Sequence, residues 1–126
     1  MAERGSNARI LAAIVERVEG WRVPAPGASE APIRLPVLAP DRASRDRVVS
    51  QLRRLGIGAS VLYPGCLAEI AALDPHRAGR ASNTPGARAL ADRLLTLPCY
   101  PGLGERNLDL IATAFERAAQ TMRSAP

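Results

Sequence analysis

The chain has 126 residues, of which 47% are hydrophobic and 3% aromatic, and its formal net charge at pH 7 is +5. This length predicts one domain over residues 1–126, with a core of aliphatic side chains and frayed ends at residues 1–5 and 121–126. No hydrophobic run approaches the roughly 20 residues of a membrane span, and no signal-peptide core follows the first residues, so a cytoplasmic protein is expected.

The basic residues and the cysteines exclude several kinds of site. All 17 basic residues are arginines, so these residues supply neither a Schiff-base lysine nor a phosphate-binding lysine. An Arg-rich nucleic-acid binder stays an alternative, although the arginines alternate with carboxylates and the aromatic residues are scattered. Two distant cysteines, Cys66 and Cys99, with one histidine are too few for zinc, so we predict buried reduced thiols and no metal site.

The first helix is predicted over residues 6–19. Ser6 or Asn7 can cap its start, and Gly20 is placed to end it. Its apolar stripe falls at helical spacing and comprises Ile10, Leu11, Ile14, Val15 and Val18. So strong a stripe needs a partner surface, so we expect this helix to pack on the domain itself, on a further domain or on a second copy of the chain.

A small sheet is predicted from the segments that follow. Residues 21–23 can form a short strand, and residues 24–32, with three prolines, form a loop. Apolar residues alternate over residues 33–37, which predicts a strand with one covered face. Pro36 cannot donate a hydrogen bond, so it should lie at a sheet edge or beside a bulge.

The second helix is predicted over residues 41–55, with Asp41 as its N-cap and Gly56 as its stop. Its buried stripe comprises Val48, Val49, Leu52 and Leu55. Its arginines are predicted to face outward: Arg42, Arg45, Arg47, Arg53 and Arg54. Residues 57–62 then predict another strand.

A turn is predicted at residues 63–66, a short helix at 67–73 and a polar loop at 74–83. Thr84 and Pro85 mark the next helix start, because proline suits the first helical position. The predicted inner face of this helix comprises Ala87, Leu90, Ala91, Leu94 and Leu95.

The stretch 94–103 joins the last two helices. Its two prolines exclude a helix interior, so Leu95 and Leu97 predict a short strand and residues 100–102 a turn. A final helix is predicted from Gly104, and its apolar stripe comprises Leu108, Ile111, Ala112, Phe115 and Ala119. Together the elements predict an α+β fold: a small antiparallel or mixed sheet of about three strands, with four to five helices packed on one face.

Several motifs occur in an order that is similar to that of a known family. They are Asn7-Ala8 before an apolar helix, Arg45-Asp46 with the helix to Leu55-Gly56-Ile57, Tyr63-Pro64, Pro85-x-Ala87 with Ala91, and Leu95-Thr96-Leu97-Pro98 with Tyr100-Pro101-Gly102-Leu103. Over residues 4–119 the sequence resembles the C-terminal small domain of the DegT/DnrJ/StrS family of PLP-dependent sugar aminotransferases, which share the fold of aspartate aminotransferase, a fold-type I PLP enzyme.

The resemblance implies a function for the complete enzyme. Such enzymes transfer an amino group from an amino acid to a keto-sugar carried on a nucleotide, with the lysine and most pyridoxal phosphate contacts on a large domain. This chain is therefore expected to be a C-terminal domain or fragment that is inactive by itself, binds no cofactor alone and has the PLP-binding large domain as its partner. The alternative is a stand-alone interaction or regulatory module, which could dimerise through its first helix.

The predicted site is limited to one loop. The family often has His before Tyr-Pro, where this chain has Leu62, and Pro-Leu-His afterwards, where it has Cys66, Leu67 and Ala68. Thr84 and Arg88 replace an aromatic residue and a glutamate at the helix start. The family's polar contacts are therefore not carried over. No catalytic, cofactor-binding or metal residue is assigned, and the substrate-proximal loop comprises Tyr63, Pro64, Gly65 and Cys66.

Overall fold

The computed structural model describes residues 2–24, 31–76 and 84–124. Within these ranges the elements are, in order, α1 (Ala2–Glu16), β1 (Arg34–Leu38), α2 (Arg42–Arg54), two 3₁₀ turns (Leu67–Glu69 and Ala71–His76), α3 (Pro85–Arg93), β2 (Leu94–Pro98) and α4 (Gly104–Arg123). The predicted α+β class is confirmed. Residues 25–30 of one predicted loop and residues 77–83 of the other lie outside the described residues.

The strands β1 and β2 pair in antiparallel orientation. Leu35 stands opposite Leu97, and Val37 stands opposite Leu95. Side chains alternate along a strand, so these four residues share one face of the sheet. All four belong to one buried cluster with residues of α1, α2 and α4, so this face carries the core.

Two further predicted strands contribute single bridges to the described sheet. Arg22 bridges to Leu38, and Ser60 bridges to Thr96. These bridges extend the two-stranded ladder on both sides, but neither neighbouring segment forms a strand of its own. The third strand of the prediction is thus present only as these isolated pairings.

Pro36 lies where its missing N–H breaks no ladder bond. The N–H and C=O groups of Leu38 both bond to Arg22, on the side of β1 away from β2. Residues two apart in a strand direct their backbone groups to the same side, so the nitrogen of Pro36 also faces that outer side. The predicted edge position of Pro36 is confirmed.

The core is aliphatic around one aromatic pair. Its largest fully buried side chains are Phe115, Leu11, Leu52, Leu95, Leu97, Leu103, Ile111, Val15, Val37 and Val48. The Trp21 ring meets the Phe115 ring edge to face, with ring centroids 4.8 Å apart and planes at 80°. This geometry is the favoured one for aromatic quadrupoles and joins the end of the α1 region to α4.

The start of α1 differs from the prediction. The helix begins at Ala2, before the predicted start at residue 6, and α4 extends to Arg123. Asn7 is no N-cap: it is buried inside the helix, and its Nδ2 donates to the carbonyl of Tyr100 at 3.0 Å. This distant acceptor satisfies the Asn7 amide, so the residue does not need a capping role. The helix ends at Glu16, before Gly20, which has a positive φ of 83°.

The apolar stripe of α1 is used within the chain. Leu11 and Val15 are fully buried, and α1 packs on α4 and β1. Ile10 is the exposed large hydrophobic residue of this helix. The buried part of the stripe therefore finds a partner surface inside the domain.

The predicted ends of α2 are confirmed. The Asp41 carboxylate accepts the backbone N–H of Ser44 at 2.7 Å, as an N-cap should. This hydrogen bond lowers the pKa of Asp41 from its ordinary value, since it favours the charged form. Gly56 follows the helix with a φ of 78°, a conformation that suits glycine at a helix end.

Arg45 is not on the outer face of α2, which corrects the prediction. It is only 5% exposed, and its Nη1 donates to the carbonyl of Ala91 at 2.5 Å. Its Nε and Nη2 both donate to Asp46, at 2.9 and 2.8 Å. A buried guanidinium needs such partners, and its five donors allow α2 and α3 to be joined by one side chain.

Three other arginines also bind backbone carbonyls. Arg93 Nε donates to the carbonyl of Ala39 at 2.6 Å, and Arg53 Nε donates to that of Ala59 at 3.2 Å. Arg34 donates from Nε to Thr96 Oγ1 at 2.8 Å and from Nη2 to the carbonyl of Gly58. The Gly58 carbonyl thus accepts from a side chain. Part of the basic charge has a structural role.

The start of α3 is as predicted, with Pro85 at the first helical position. The predicted inner face of α3 is wrong in part, because Ala91 is the buried residue of this helix while Ala87 and Leu90 are exposed. Leu94 and Leu95, predicted to be the last residues of the helical stripe, belong instead to β2 and are buried there. The chain changes from helix to strand at Leu94, and this change directs both side chains toward buried positions.

The predicted strand and turn of the stretch 94–103 are confirmed. Every residue of β2 is buried, so this strand is covered on both faces. Gly102 follows with a φ of 81°, a turn conformation that favours glycine, and its N–H donates to the Glu3 carboxylate at 2.7 Å. The turn therefore contacts the start of α1.

Candidate functional site

The predicted loop of residues 63–66 leaves the sheet just after the Ser60 bridge. Tyr63 is 52% exposed, Pro64 is exposed and Gly65 is half-buried. Cys66 is buried, at 5% exposure. The loop therefore presents the Tyr63 ring outward and is fixed at its far end by Cys66.

Hydrogen bonds to two residues hold Cys66. Its backbone N–H donates to Glu69 Oε2 at 3.0 Å, and its sulfur accepts from Thr84 Oγ1 at 3.7 Å. Its carbonyl also accepts the backbone N–H of Glu69, at 3.0 Å. Both partners lie outside the predicted site. Thr84 directly precedes α3, so the second bond connects the loop to the start of that helix.

Glu69 also contacts α3 directly. Its Oε1 lies 3.1 Å from Arg88 Nη2, and both side chains are partly exposed. One carboxylate thus binds the loop backbone with one oxygen and an α3 guanidinium with the other. The spacing from Cys66 to Glu69 is that of a capping box, a sequence signal that could have located this partner.

Gly65 has a local reason to be glycine. A Cβ built at this position would fall against Glu69 Oε2, the same oxygen that accepts the Cys66 N–H. The absence of a side chain therefore leaves room for the carboxylate. The loop conformation and the Glu69 contact depend on each other.

The short helix predicted at residues 67–73 is replaced by the two 3₁₀ turns. Pro75 lies within the second turn, where the prediction placed it beyond the helix end. The surface here is apolar, and its exposed large hydrophobic side chains are Leu62, Tyr63, Leu67, Ile70 and Leu73. We call residues 62–76 the outer segment. None of its described residues belongs to the main hydrophobic cluster.

The outer segment offers little acid–base chemistry of its own. Among residues 2–24, 31–76 and 84–124, no group of three His, Cys, Asp or Glu side chains could hold a metal ion. Pyridoxal phosphate needs a lysine for its Schiff base, and the sequence contains none. The residues present therefore do not fit a complete PLP site, and the Tyr63 hydroxyl is the exposed polar group of the loop tip.

Cys99 and Tyr100 are not part of this loop. Cys99 is fully buried, and its thiol donates to the carbonyl of Pro32 at 2.9 Å. Burial raises the pKa of the Cys99 thiol, because desolvation disfavours the thiolate. Both cysteines are buried and unpaired, as predicted.

A concave feature lies beside α2. It is an open groove of about 480 Å³, lined by Asp46, Val49, Ser50, Arg53, Arg54 and Val61. Its lining thus combines apolar side chains with charges of both signs. Val61 places the groove next to the base of the Tyr63 loop.

The fold has counterparts among solved structures. The aminotransferase TlmJ from Streptoalloteichus hindustanus superposes with a TM-score of 0.76 at 22% identity, over 98% of this chain and 32% of that chain. A DegT/DnrJ/EryC1/StrS aminotransferase from Brucella abortus gives a TM-score of 0.73 at 24% identity, over 94% and 31%. Helicobacter pylori PseC, an aminotransferase involved in the biosynthesis of pseudoaminic acid, gives 0.69 at 16% identity, over 95% and 33%.

At these identities the likenesses show the fold alone, and this chain spans about a third of the length of each structure. No curated protein matches the sequence. The fold and the exposed loop define a small α+β domain of the kind found within aminotransferase structures. The sequence matches the DegT/DnrJ/EryC1/StrS aminotransferase family over residues 1–116, and the chain belongs to that family. The family's chemistry implies pyridoxal phosphate for the complete enzyme.

No helix in the described ranges has the length and hydrophobicity to cross a membrane.

Proposed function

We propose that these residues form the C-terminal small domain of a PLP-dependent aminotransferase that acts on a nucleotide-linked keto-sugar. The family match over residues 1–116 carries this proposal. The order of the motifs supports the C-terminal placement, and the coverage of about a third of each matched structure supports a domain of a longer enzyme. Since the sequence contains no lysine, the domain by itself has no transaminase activity.

The substrate class rests on the family and on one neighbour. PseC serves in the biosynthesis of pseudoaminic acid, a role that favours a sugar substrate for this chain also. The four positions Tyr63, Pro64, Gly65 and Cys66 form the substrate-proximal loop in this proposal. Tyr63 is the residue that offers an exposed hydroxyl and an aromatic face to a ligand bound outside this domain. The two free thiols support a cytoplasmic location.

The natural protein that carries these residues provides the test. After purification, it should show PLP absorbance, and borohydride reduction should attach the cofactor to a lysine outside residues 1–126. A lysine on the same polypeptide and a lysine on a tightly bound partner both support the proposal. A natural protein without PLP would overturn the proposal.

The isolated chain provides the complementary control. With PLP, glutamate and a nucleotide-linked keto-sugar, it should form no 2-oxoglutarate, since it lacks the lysine needed for the exchange. Turnover of glutamate by the isolated chain would contradict the proposed division of labour between this domain and the rest of the enzyme.

A second candidate is an interaction module without enzymatic activity. The exposed apolar side chains of the outer segment favour it, because such clusters mark surfaces that bind other proteins. A partner would then be a PLP-binding large domain or a second copy of the chain. Light scattering distinguishes these two partners. A dimer of the isolated chain supports self-association, and a strict monomer opposes it.

A further inference from the structure

We propose that Glu69 is a positioning residue that fastens the Tyr63 loop to α3. The two oxygens of its carboxylate have different partners. Oε2 accepts the Cys66 backbone N–H at 3.0 Å, and Oε1 pairs with Arg88 Nη2 at 3.1 Å. A single side chain therefore links the last residue of the loop to the helix behind it.

Polar contacts dominate the attachment of the loop. In the outer segment, Cys66 is the buried residue among the side chains described, while Leu67 is 72% exposed. Because so little apolar surface is buried, the free energy needed to detach the segment from the rest of the domain is low. Each hydrogen bond therefore changes the population of the attached conformation appreciably. The charged acceptor makes the Glu69–Cys66 bond stronger than a neutral one.

Two neighbouring residues support the same conformation. Gly65 leaves the space that Glu69 Oε2 fills, and Thr84 Oγ1 donates to the Cys66 sulfur at 3.7 Å. A methyl group at position 65 would displace the carboxylate without removing its charge. The contact pattern thus gives two ways to release the loop: removal of the Glu69 carboxylate, and its displacement by a side chain at position 65.

The consequence for catalysis rests on the proposed function, whereas the fastening of the loop does not. If the loop faces a sugar substrate, Glu69 holds Tyr63 in place without touching that substrate. Loss of Glu69 should then raise KM more than it lowers kcat, because the loop must be ordered before the substrate binds.

Alkylation of Cys66 measures the fastening directly. The chain is treated with iodoacetamide, and peptide mapping separates the rates at Cys66 and Cys99. We expect Glu69→Ala to raise the Cys66 rate about tenfold, which corresponds to one strong hydrogen bond. Glu69→Gln keeps an acceptor for the Cys66 N–H but loses the ion pair, so a rise of about threefold is expected, as for Arg88→Ala.

The controls separate a local effect from unfolding. Gly65→Ala should act like Glu69→Ala, while Glu105→Ala, an exposed glutamate of α4, should change nothing. Cys99 in the core should stay unreactive in every variant. An unchanged Cys66 rate in Glu69→Ala, or a parallel rise at Cys99, would overturn the proposal.

The complete enzyme then distinguishes the two proposals. A released Cys66 together with a raised KM in Glu69→Ala supports both the fastening and the substrate-proximal position of the loop. A released Cys66 with unchanged KM and kcat leaves the fastening supported and contradicts the proposed place of the loop near the substrate.

Discussion

Two regions of this domain are built on different principles. The sheet with α1, α2 and α4 buries its large aliphatic and aromatic side chains in one cluster, and Leu95 is fully buried there. The outer segment exposes its leucines, and Leu67 is 72% exposed. The comparison teaches that the apolar residues of the two regions have different surroundings, because no described residue of the outer segment belongs to the main hydrophobic cluster.

The largest expected difference comes from the same substitution in each region. Leu95→Ala should lower the free energy of unfolding by about 3 kcal/mol, because it removes buried methyl groups and leaves a cavity. Leu67→Ala should change it by less than about 0.5 kcal/mol, as an exposed position allows. Urea denaturation followed by circular dichroism measures both. Equal losses would show that the outer segment is part of the cooperative core.

A buried and an exposed arginine of α2 should differ by a smaller amount in their effect on stability. Arg45→Ala should cost about 2 kcal/mol of unfolding free energy, because the buried Ala91 carbonyl loses its donor and the packing of the Arg45 side chain is lost. Arg47→Ala, on the exposed face of the same helix, should cost less than about 0.5 kcal/mol. Denaturation of the two variants side by side provides the measurement, and a larger loss from Arg47→Ala would refute the assignment of Arg45 as the structural arginine.

The two capping carboxylates differ by a smaller amount. Asp41→Ala should lower the free energy of unfolding by about 1 kcal/mol, because α2 loses its N-cap. Glu69→Ala should lower it by less than about 0.5 kcal/mol, since its contacts belong to a locally opening segment. Thermal melts of both variants test this ranking, and it fails if the Glu69 variant melts at the lower temperature.

The Asp41 cap also makes the core sensitive to acid. Folding lowers the Asp41 pKa, so the unfolded chain binds the proton more readily. The stabilising contribution is therefore present above the ordinary aspartate pKa of about 4 and is lost as the pH falls through the lowered value. Wild type should lose stability over this range faster than Asp41→Asn, which caps without titrating. Identical pH profiles would exclude the cap as the cause.

The smallest expected stability change is at the loop tip. Tyr63→Phe removes one exposed hydroxyl and should leave the unfolding free energy within about 0.5 kcal/mol of wild type. In the complete enzyme the same variant should lower kcat/KM about fivefold, as for the loss of one ligand hydrogen bond. Tyr100→Phe, a similarly exposed tyrosine outside the loop, is the matched control.

Local sequence signals predicted the parts of the fold that depend on neighbouring residues. The Asp41 cap, Pro85 at a helix start, Gly102 in a turn and the strand at Leu95 all follow from backbone preferences within a few positions. Pro36 at the sheet edge follows from its missing N–H. These rules need no knowledge of tertiary structure.

Other features depend on partners far away in the sequence, and periodicity could not reveal them. Asparagine is a residue type that often caps helices, but the Asn7 side chain donates to the carbonyl of Tyr100. Arginine is usually a surface residue, but the Arg45 side chain donates to the buried carbonyl of Ala91. Leu90 continues an apolar stripe yet stays exposed, because α3 lies at the rim of the core. The sequence predicts the site only as a loop. The capping-box spacing from Cys66 to Glu69 is the local signal for the residue that binds the end of this loop.

The pairing of β1 with β2 has a consequence for synthesis on the ribosome. Arg34 and Thr96, which bond across this pairing, are 62 positions apart. At about 5–20 residues per second, β1 waits roughly 3–12 s for its partner strand. During that interval its apolar face is unprotected, and α1 likewise lacks the Tyr100 carbonyl that its Asn7 will bind. The newly made chain therefore cannot pair β1 before β2 has emerged, and its core is completed later still, when α4 brings in Phe115.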